Sequence, residues 1–182
     1  GLARGIDTDA HQVTLHGNGR TIAVLGNGLA LHYPPENRKL QDTIPAAGVV
    51  VSEFPMTFPP DKSNFPRRNR LIAGLSLGTV VVEADIKSGA LITAKLALEQ
   101  GKEVFAIPGN IFSAYSRGPH LLIKQGAKLV ENITDIIEEI GQFRDIIIPP
   151  PGLAAVREAE LPLLSSEEKD VYQHLTVEPI NI

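Results

Sequence analysis

The sequence predicts an α/β fold built as an open, doubly wound and mostly parallel sheet, and three observations carry the prediction. Short apolar runs rich in β-branched residues recur along the chain, stretches with helical patterning separate them, and glycine-bearing polar loops follow the runs. The runs are apolar throughout rather than alternating, which suits strands buried on both faces. In such a sheet, ligand sites lie beyond the carboxyl ends of the strands.

The chain opens with Gly-Leu-Ala-Arg-Gly-Ile-Asp, which reads as a loop-to-helix junction and predicts an N-terminal truncation. Asp7 and His11 stand four apart on the helix that follows and could share a face. Spacing supplies no third ligand, so we expect Asp7 to cap and His11 to make a local hydrogen bond, with no metal site. Residues 21–25, 48–52, 79–83, 103–107 and 128–130 are the expected strands. Helical patterns are expected at 38–44, 69–76, 90–100 and 120–125, and an acidic helix at 132–140. The proline-rich stretch Ile146 to Pro151 then breaks the pattern. The expected organisation is a first domain over 1–141, a linker over 142–164, and the beginning of a small C-terminal helical module over 165–182, where Ser165-Ser166-Glu167-Glu168 offers a helix start.

The chain has 182 residues, 43% hydrophobic and 21% charged, enough for one substantial core. It has no cysteine, which excludes disulfides and thiolate metal sites. No run reaches the roughly 18 apolar residues of a membrane span. The net charge of −4 hides an asymmetry: residues 1–130 carry 14 Lys and Arg against 10 Asp and Glu, whereas residues 131–182 carry 3 against 11. A basic body with an acidic tail can bind a polyanion, because local potential steers ligands.

Arg67, Arg68 and Arg70 crowd into four positions, and no carboxylate occurs from Lys62 to Val82. The segment turns apolar at Leu71, so the arginines are expected where a loop enters a helix, a place that favours phosphate; a solvated arginine patch is the plain alternative. Gly26-Asn27-Gly28 follows the first strand as a dinucleotide fingerprint would. The third glycine of that fingerprint is missing, which leaves a tight turn or a turn lining a phosphate groove. Lys87, Ser88 and Gly89 precede a helix and form an anion cradle or, alternatively, an N-cap with a solvated lysine; Lys95 lies further along that helix. Gly109 and Asn110 follow the strand at 103–107 and should lie on the same edge. No nucleophile, base and orienting acid stand together, so no catalytic residue is assigned.

In order along the chain, GLARGID at 1–7, AVLGNGL at 23–29, YPPEN at 33–37, SEFP at 52–55, FPRRNRLIAGLS at 65–76, VVEADIKSGALITAKLALEQGKEVFAIPG at 81–109 and GPHLLIKQGA at 118–127 resemble the DNA-processing protein A family, DprA or Smf. Each motif alone is weak; the ordered set over residues 1 to about 140 is specific. The resemblance implies an extended Rossmann-like domain that binds single-stranded DNA, forms a homodimer, protects incoming strands and helps load the RecA recombinase during natural transformation. It implies a cytoplasmic protein without catalytic turnover or cofactor. LSSEEKDVYQHLTVEPINI at 164–182 resembles the start of a winged-helix-like module. His120 departs from the family's pattern, which has asparagine there.

The residues expected at DNA are Arg4, Arg67, Arg68, Arg70, Lys87, Ser88, Gly89 and Lys95, with Gly26, Gly28, Gly109 and Asn110 in phosphate-facing loops. Arg70 could equally tie loops together through Glu53 or Glu83, and Phe65 could stack on a base or pack in the core. Two other readings compete. One is a nucleotide enzyme of the nucleoside-monophosphate phosphoribohydrolase type with Glu83 as its acid, although Ala-Asp-Ile-Lys-Ser-Gly does not match the loop such an enzyme needs. The other is a dimerisation scaffold with the arginines at subunit contacts.

Overall fold

The computed structural model describes residues 1–140. The linker expected at 142–164 and the module expected at 165–182 lie outside the described residues.

The order of elements is α1 (Ile6–His16), β1 (Ile22–Val24), α2 (Arg38–Thr43), β2 (Val49–Val51), α3 (Asn64–Gly74), β3 (Gly78–Val81), α4 (Gly89–Glu99), β4 (Glu103–Ala106), α5 (Arg117–Lys124), β5 (Lys128–Leu129) and α6 (Ile133–Glu139). Strand and helix alternate along the whole described chain, as the apolar runs and the patterns between them require. The helices start and stop for local reasons. The Ser88 hydroxyl accepts from the Ala90 amide at 3.2 Å and starts α4. At α6, Asn132 accepts from the Thr134 amide at 2.9 Å while the Asp135 carboxylate accepts from the Asn132 amide at 3.0 Å. The Glu131 amide, which donates to Asp135 Oδ2 at 2.8 Å, and the Asn132 amide together hold the Asp135 carboxyl below the usual carboxylate range.

All ladders are parallel, but they form two sheets rather than one. In the first, β1 pairs with β2, with Ile22 opposite Val49 and Val24 opposite Val51. In the second, β4 lies between β3 and β5, with Val81 opposite Ala106 and Phe105 opposite Lys128. Each sheet carries its own core. Ala23, Leu25, Leu40 and Ile44 pack with Leu2 on the first; Val81, Val104, Ala106 and Leu122 pack with Ala73, Ala94 and Ala97 on the second. The three alanines are fully buried where α3 meets α4, and their small side chains let the two helices approach.

No ladder joins β1 to β3 among the described residues. Between them lies a cleft of about 730 Å³, walled by Leu25 and Gly26 on one side, Thr79 to Glu83 on the other, and Phe65, Arg68, Asn69 and Ile72 of α3. Val80 consequently remains 40% exposed, unusual for a parallel strand.

The carboxyl ends of the strands converge on one edge, and close backbone approach sets its loops. The Gly28 amide donates to the Phe58 carbonyl at 2.8 Å and the Ala30 amide to the Met56 carbonyl at 2.9 Å. A Cβ on Gly28 would fall 2.1 Å from the Pro55 carbonyl oxygen and 2.2 Å from that of Met56, both backbone atoms that cannot yield cheaply. Gly28→Ala is therefore expected to destabilise the domain by about 2 kcal/mol or more. Gly89→Ala, at the open first turn of α4 where a Cβ meets nothing within 4 Å, should be neutral or stabilising by up to about 1 kcal/mol. Urea denaturation of the two variants checks this contrast, and equal midpoints would contradict it.

Candidate nucleic-acid interface

The three clustered arginines lie on α3 itself, not in a loop before it. The helix begins at Asn64, five residues earlier than the apolar pattern suggests, because the preceding turn is already ordered. The Asp61 carboxylate accepts from the Ser63 amide at 2.8 Å and from its hydroxyl at 2.5 Å, and the Asn64 amide donates to the Asp61 carbonyl at 3.1 Å. These bonds hold the Asp61 carboxyl below its ordinary range. Pro66 does not interrupt α3, since the first-turn amide it lacks has no helical partner.

On a helix Arg68 points away from the side that Arg67 and Arg70 share. Arg68 turns inward and is only 8% exposed. One guanidinium nitrogen donates to the Val24 carbonyl, Nε donates to Asn69 Oδ1 at 3.1 Å, and the guanidinium carbon sits 5.9 Å from the Phe65 ring centroid. Burial pulls its pKa below the ordinary arginine value, and the Asp7 charge works against that. Arg70 reaches outward and pairs with Glu53, one of the two carboxylates the sequence offered it. Arg67 is exposed and makes no ion pair among the described residues.

The remaining predicted cations also divide. Arg4 is committed to Glu36, with Nη2 2.8 Å and 3.0 Å from the two carboxylate oxygens and Nε 3.2 Å from the first. The pair holds Glu36 low and Arg4 high in pKa. Lys95 lies 3.8 Å from Glu99 one helical turn on, along the exposed face of α4. Lys87, in the loop between β3 and α4, is exposed without an ion pair among the described residues. Sequence reasoning passed over Lys62 and Arg117. Both are exposed without ion pairs among the described residues, in the turn before α3 and at the first residue of α5. Their position on strand-end loops was the available signal.

Gly26 and Gly109 sit where backbone and side chains pack closely. A Cβ on Gly26 would lie 2.5 Å from the Phe65 ring, and one on Gly109 would lie 2.3 Å from Ser116 Oγ. Asn27 is buried, and its amide nitrogen donates to the carbonyls of Gly28 at 3.0 Å and Leu31 at 2.9 Å. Asn110 Oδ1 accepts from the Phe112 amide at 2.9 Å. Ser88 is engaged as the cap of α4, while Gly89 stays open. Phe65 stacks on Tyr33 with ring centroids 5.4 Å apart. His11 bonds beyond its own helix, to Thr21 Oγ1 and the Gly1 carbonyl, each at 2.6 Å. His120 Nε2 lies 3.1 Å from the Gly109 carbonyl oxygen and 3.4 Å from its amide. Among the described residues no three His, Asp or Glu side chains are grouped to hold a metal, and no helix is long and apolar enough to cross a membrane.

Of the predicted residues, the structure gathers Arg4, Gly26, Arg68, Ser88 and Gly89 around the cleft between the sheets. Arg67, Arg70, Lys87, Lys95, Gly28, Gly109 and Asn110 lie outside it. The cleft's lining includes the aliphatic Leu25, Ile72, Val80 and Val82, and its arginines are buried or paired. Phosphate finds no free cation there. The exposed, unpaired cations Lys62, Arg67, Lys87 and Arg117 stand instead along the outer rim of the carboxyl edge.

Residues 1–141 match the model of the family described as DNA recombination-mediator protein A. The chain is 55% identical over 141 residues to protein Smf of Escherichia coli, covering 77% of this chain and 38% of that protein. It is 50% identical over 139 residues to the DNA processing protein DprA of Streptococcus pneumoniae, covering 76% of this chain and 49% of that one. The chain thus spans less than half the length of these relatives. The X-ray structure of the pneumococcal protein superposes with a TM-score of 0.72 over 76% of this chain and 49% of that one, at 50% identity. A structure of DNA processing protein A from Helicobacter pylori, described for its unique single-stranded DNA binding mode, superposes with a TM-score of 0.68 at 31% identity, over 78% of this chain and 64% of that one.

The division of the arginines is testable through stability. Arg68→Ala strips the Val24 carbonyl of its donor and leaves a void, so a loss of about 2–4 kcal/mol is expected. Arg67→Ala, on the surface, should stay within about 0.5 kcal/mol of the parent. Chemical denaturation of both variants measures the difference, and a well-tolerated Arg68→Ala would refute the anchoring role.

Proposed function

Because the chain belongs to the DNA recombination-mediator protein A family, we propose that it binds single-stranded DNA along the carboxyl edge of its sheets and acts as a recombination mediator. In that role it protects incoming strands and helps load the RecA recombinase during natural transformation, as a cytoplasmic homodimer. The role needs no catalytic turnover and no cofactor.

The observation that carries this reading is the set of exposed cations on the strand-end rim that have no ion pair among the described residues. Arg67 and Lys62 flank the start of α3, Lys87 sits in the loop before α4, and Arg117 starts α5. A solvated cation keeps its full charge for a phosphate, whereas one held by a carboxylate must first be released. Arg67 and Lys87 are therefore the direct phosphate contacts. Arg4, Arg70 and Lys95 bind by exchanging Glu36, Glu53 and Glu99 for phosphate, and Arg68 shapes the interface from beneath. Gly26, Gly28, Gly109, Asn110, Ser88 and Gly89 set the loops on which these cations ride. The Helicobacter pylori relative, described for its unique single-stranded DNA binding mode, supports the same ligand.

Fluorescence anisotropy with labelled oligothymidine and with a duplex, across salt concentrations, tests the proposal. The single strand should be preferred, with affinity falling steeply as salt rises. Arg67→Ala and Lys87→Ala should each lower the slope of log K against log salt by about 0.7, the value for one phosphate contact on a single strand. Absence of binding at low salt by the folded protein would sink the proposal. Loss of dimerisation on Arg67→Glu with DNA affinity intact would favour the scaffold reading.

A further inference from the structure

We propose that the loop between β4 and α5 is a base-stacking ledge for the single strand, with Phe112 and Tyr115 as its aromatic faces and Lys87 and Arg117 beside it for the phosphates. This rests on the single-strand reading above and adds where the bases go.

The described residues include seven aromatic side chains. Four stack on one another, Tyr33 on Phe65 and Phe54 on Phe58, each pair with centroids 5.4 Å apart. Phe105 is buried at 1% exposure. The two that remain are Phe112, 88% exposed, and Tyr115, 62% exposed, and both stand on the same loop. An unpaired phenylalanine in water forfeits the burial that phenylalanine usually gains.

The loop does not present them by being loose. Asn110 Oδ1 accepts from the Phe112 amide at 2.9 Å, and the Asn110 carbonyl accepts from the Ser113 amide at 2.9 Å. Ser113 Oγ accepts from the Tyr115 amide at 3.3 Å and starts the short 3-10 turn Ala114–Ser116. His120 holds the Gly109 end of the loop. The Ala84 amide donates to the Tyr115 carbonyl, and the Gly118 amide donates to the Ala84 carbonyl, both at 2.8 Å. This loop is thus stitched to the loop that carries Lys87. Ring faces held in place before the ligand arrives lose little entropy on binding.

The occupant follows from charge and accessibility. Lys87 and Arg117 are exposed without ion pairs among the described residues, and Asp85, two residues before Lys87, accepts the Ile86 amide on its Oδ1 at 2.6 Å. Exposed Ile86 and Ile111 add apolar surface around the rings. Open π-faces beside cations take unstacked bases of any identity, and a duplex hides its base faces.

The test measures the full chain against oligothymidine and against an abasic deoxyribose-phosphate oligomer of equal length, across salt. Phe112→Ala and Tyr115→Ala should each weaken oligothymidine binding about tenfold, with the salt slope, abasic binding and melting temperature unchanged. The chain lacks tryptophan, so Phe112→Trp creates a unique fluorophore that oligothymidine should quench and the abasic oligomer should not. If the parent binds oligothymidine and both alanine variants match it, the ledge is refuted while the single-strand reading survives. If the variants lose both ligands together with self-association, the aromatics face a second copy of the chain and the ledge is refuted. If the parent binds neither oligomer at low salt, both proposals fall.

Discussion

The contact between Arg68 and the Val24 carbonyl fixes what the rest of the edge can do. It ties the first turns of α3 to the carboxyl end of β1, and so sets the rotation of that helix. A buried guanidinium is tolerated only where its donors are used and its charge is offset. Here Val24 and Asn69 take donors, the Phe65 ring lies beside the cation, and the Asp7 charge favours it. With Arg68 inward, Arg67 and Arg70 must face out on the opposite side of the helix. Glu53 then draws Arg70 toward the loop after β2, and Arg67 is left in solvent.

The same anchoring explains why the glycines cluster where they do. Phe65 enters on the first turn of α3 and covers Gly26, leaving no room for a side chain there. Gly28 lets the turn after β1 close on the loop at 55–58, and Gly109 lets the loop after β4 close on Ser116. These residues build rigid supports for exposed groups. The cleft between the sheets has a different character, because strand edges and aliphatic side chains line much of it and its arginines are buried or paired. Cavity and charge are separated in this domain, and a polyanion follows the charge.

Much of this was legible in the sequence. Four strands lie within the apolar runs and β3 begins one residue before its run, at Gly78, while helices α2, α4 and α6 end within a residue or so of their patterns. Those signals are local and strong. The start of α3 was not, because Pro66 and three arginines hide a helical turn that the Asp61 side chain initiates. That offset made Arg67 and Arg68 indistinguishable in sequence, since which one turns inward depends on the helical register. The partner of His11 was missed because Thr21 approaches only through the tertiary fold. The split of the ladders into two sheets is likewise a matter of which edges meet, which hydrophobicity does not encode. The pairing of Arg70 with Glu53 was foreseen as one of two choices; the commitment of Arg4 to Glu36 was not.

Backbone amide NMR of the chain, titrated with oligothymidine at low salt, tests the central claim most directly: that the carboxyl edge of the sheets carries the nucleic-acid interface. Shift changes are predicted around Lys62 to Arg67, in the loop from Ala84 to Gly89 and in the loop from Gly109 to Arg117. Changes concentrated at the opposite edge, around Arg20, Gly48, Gly78 and Lys102, would contradict the account.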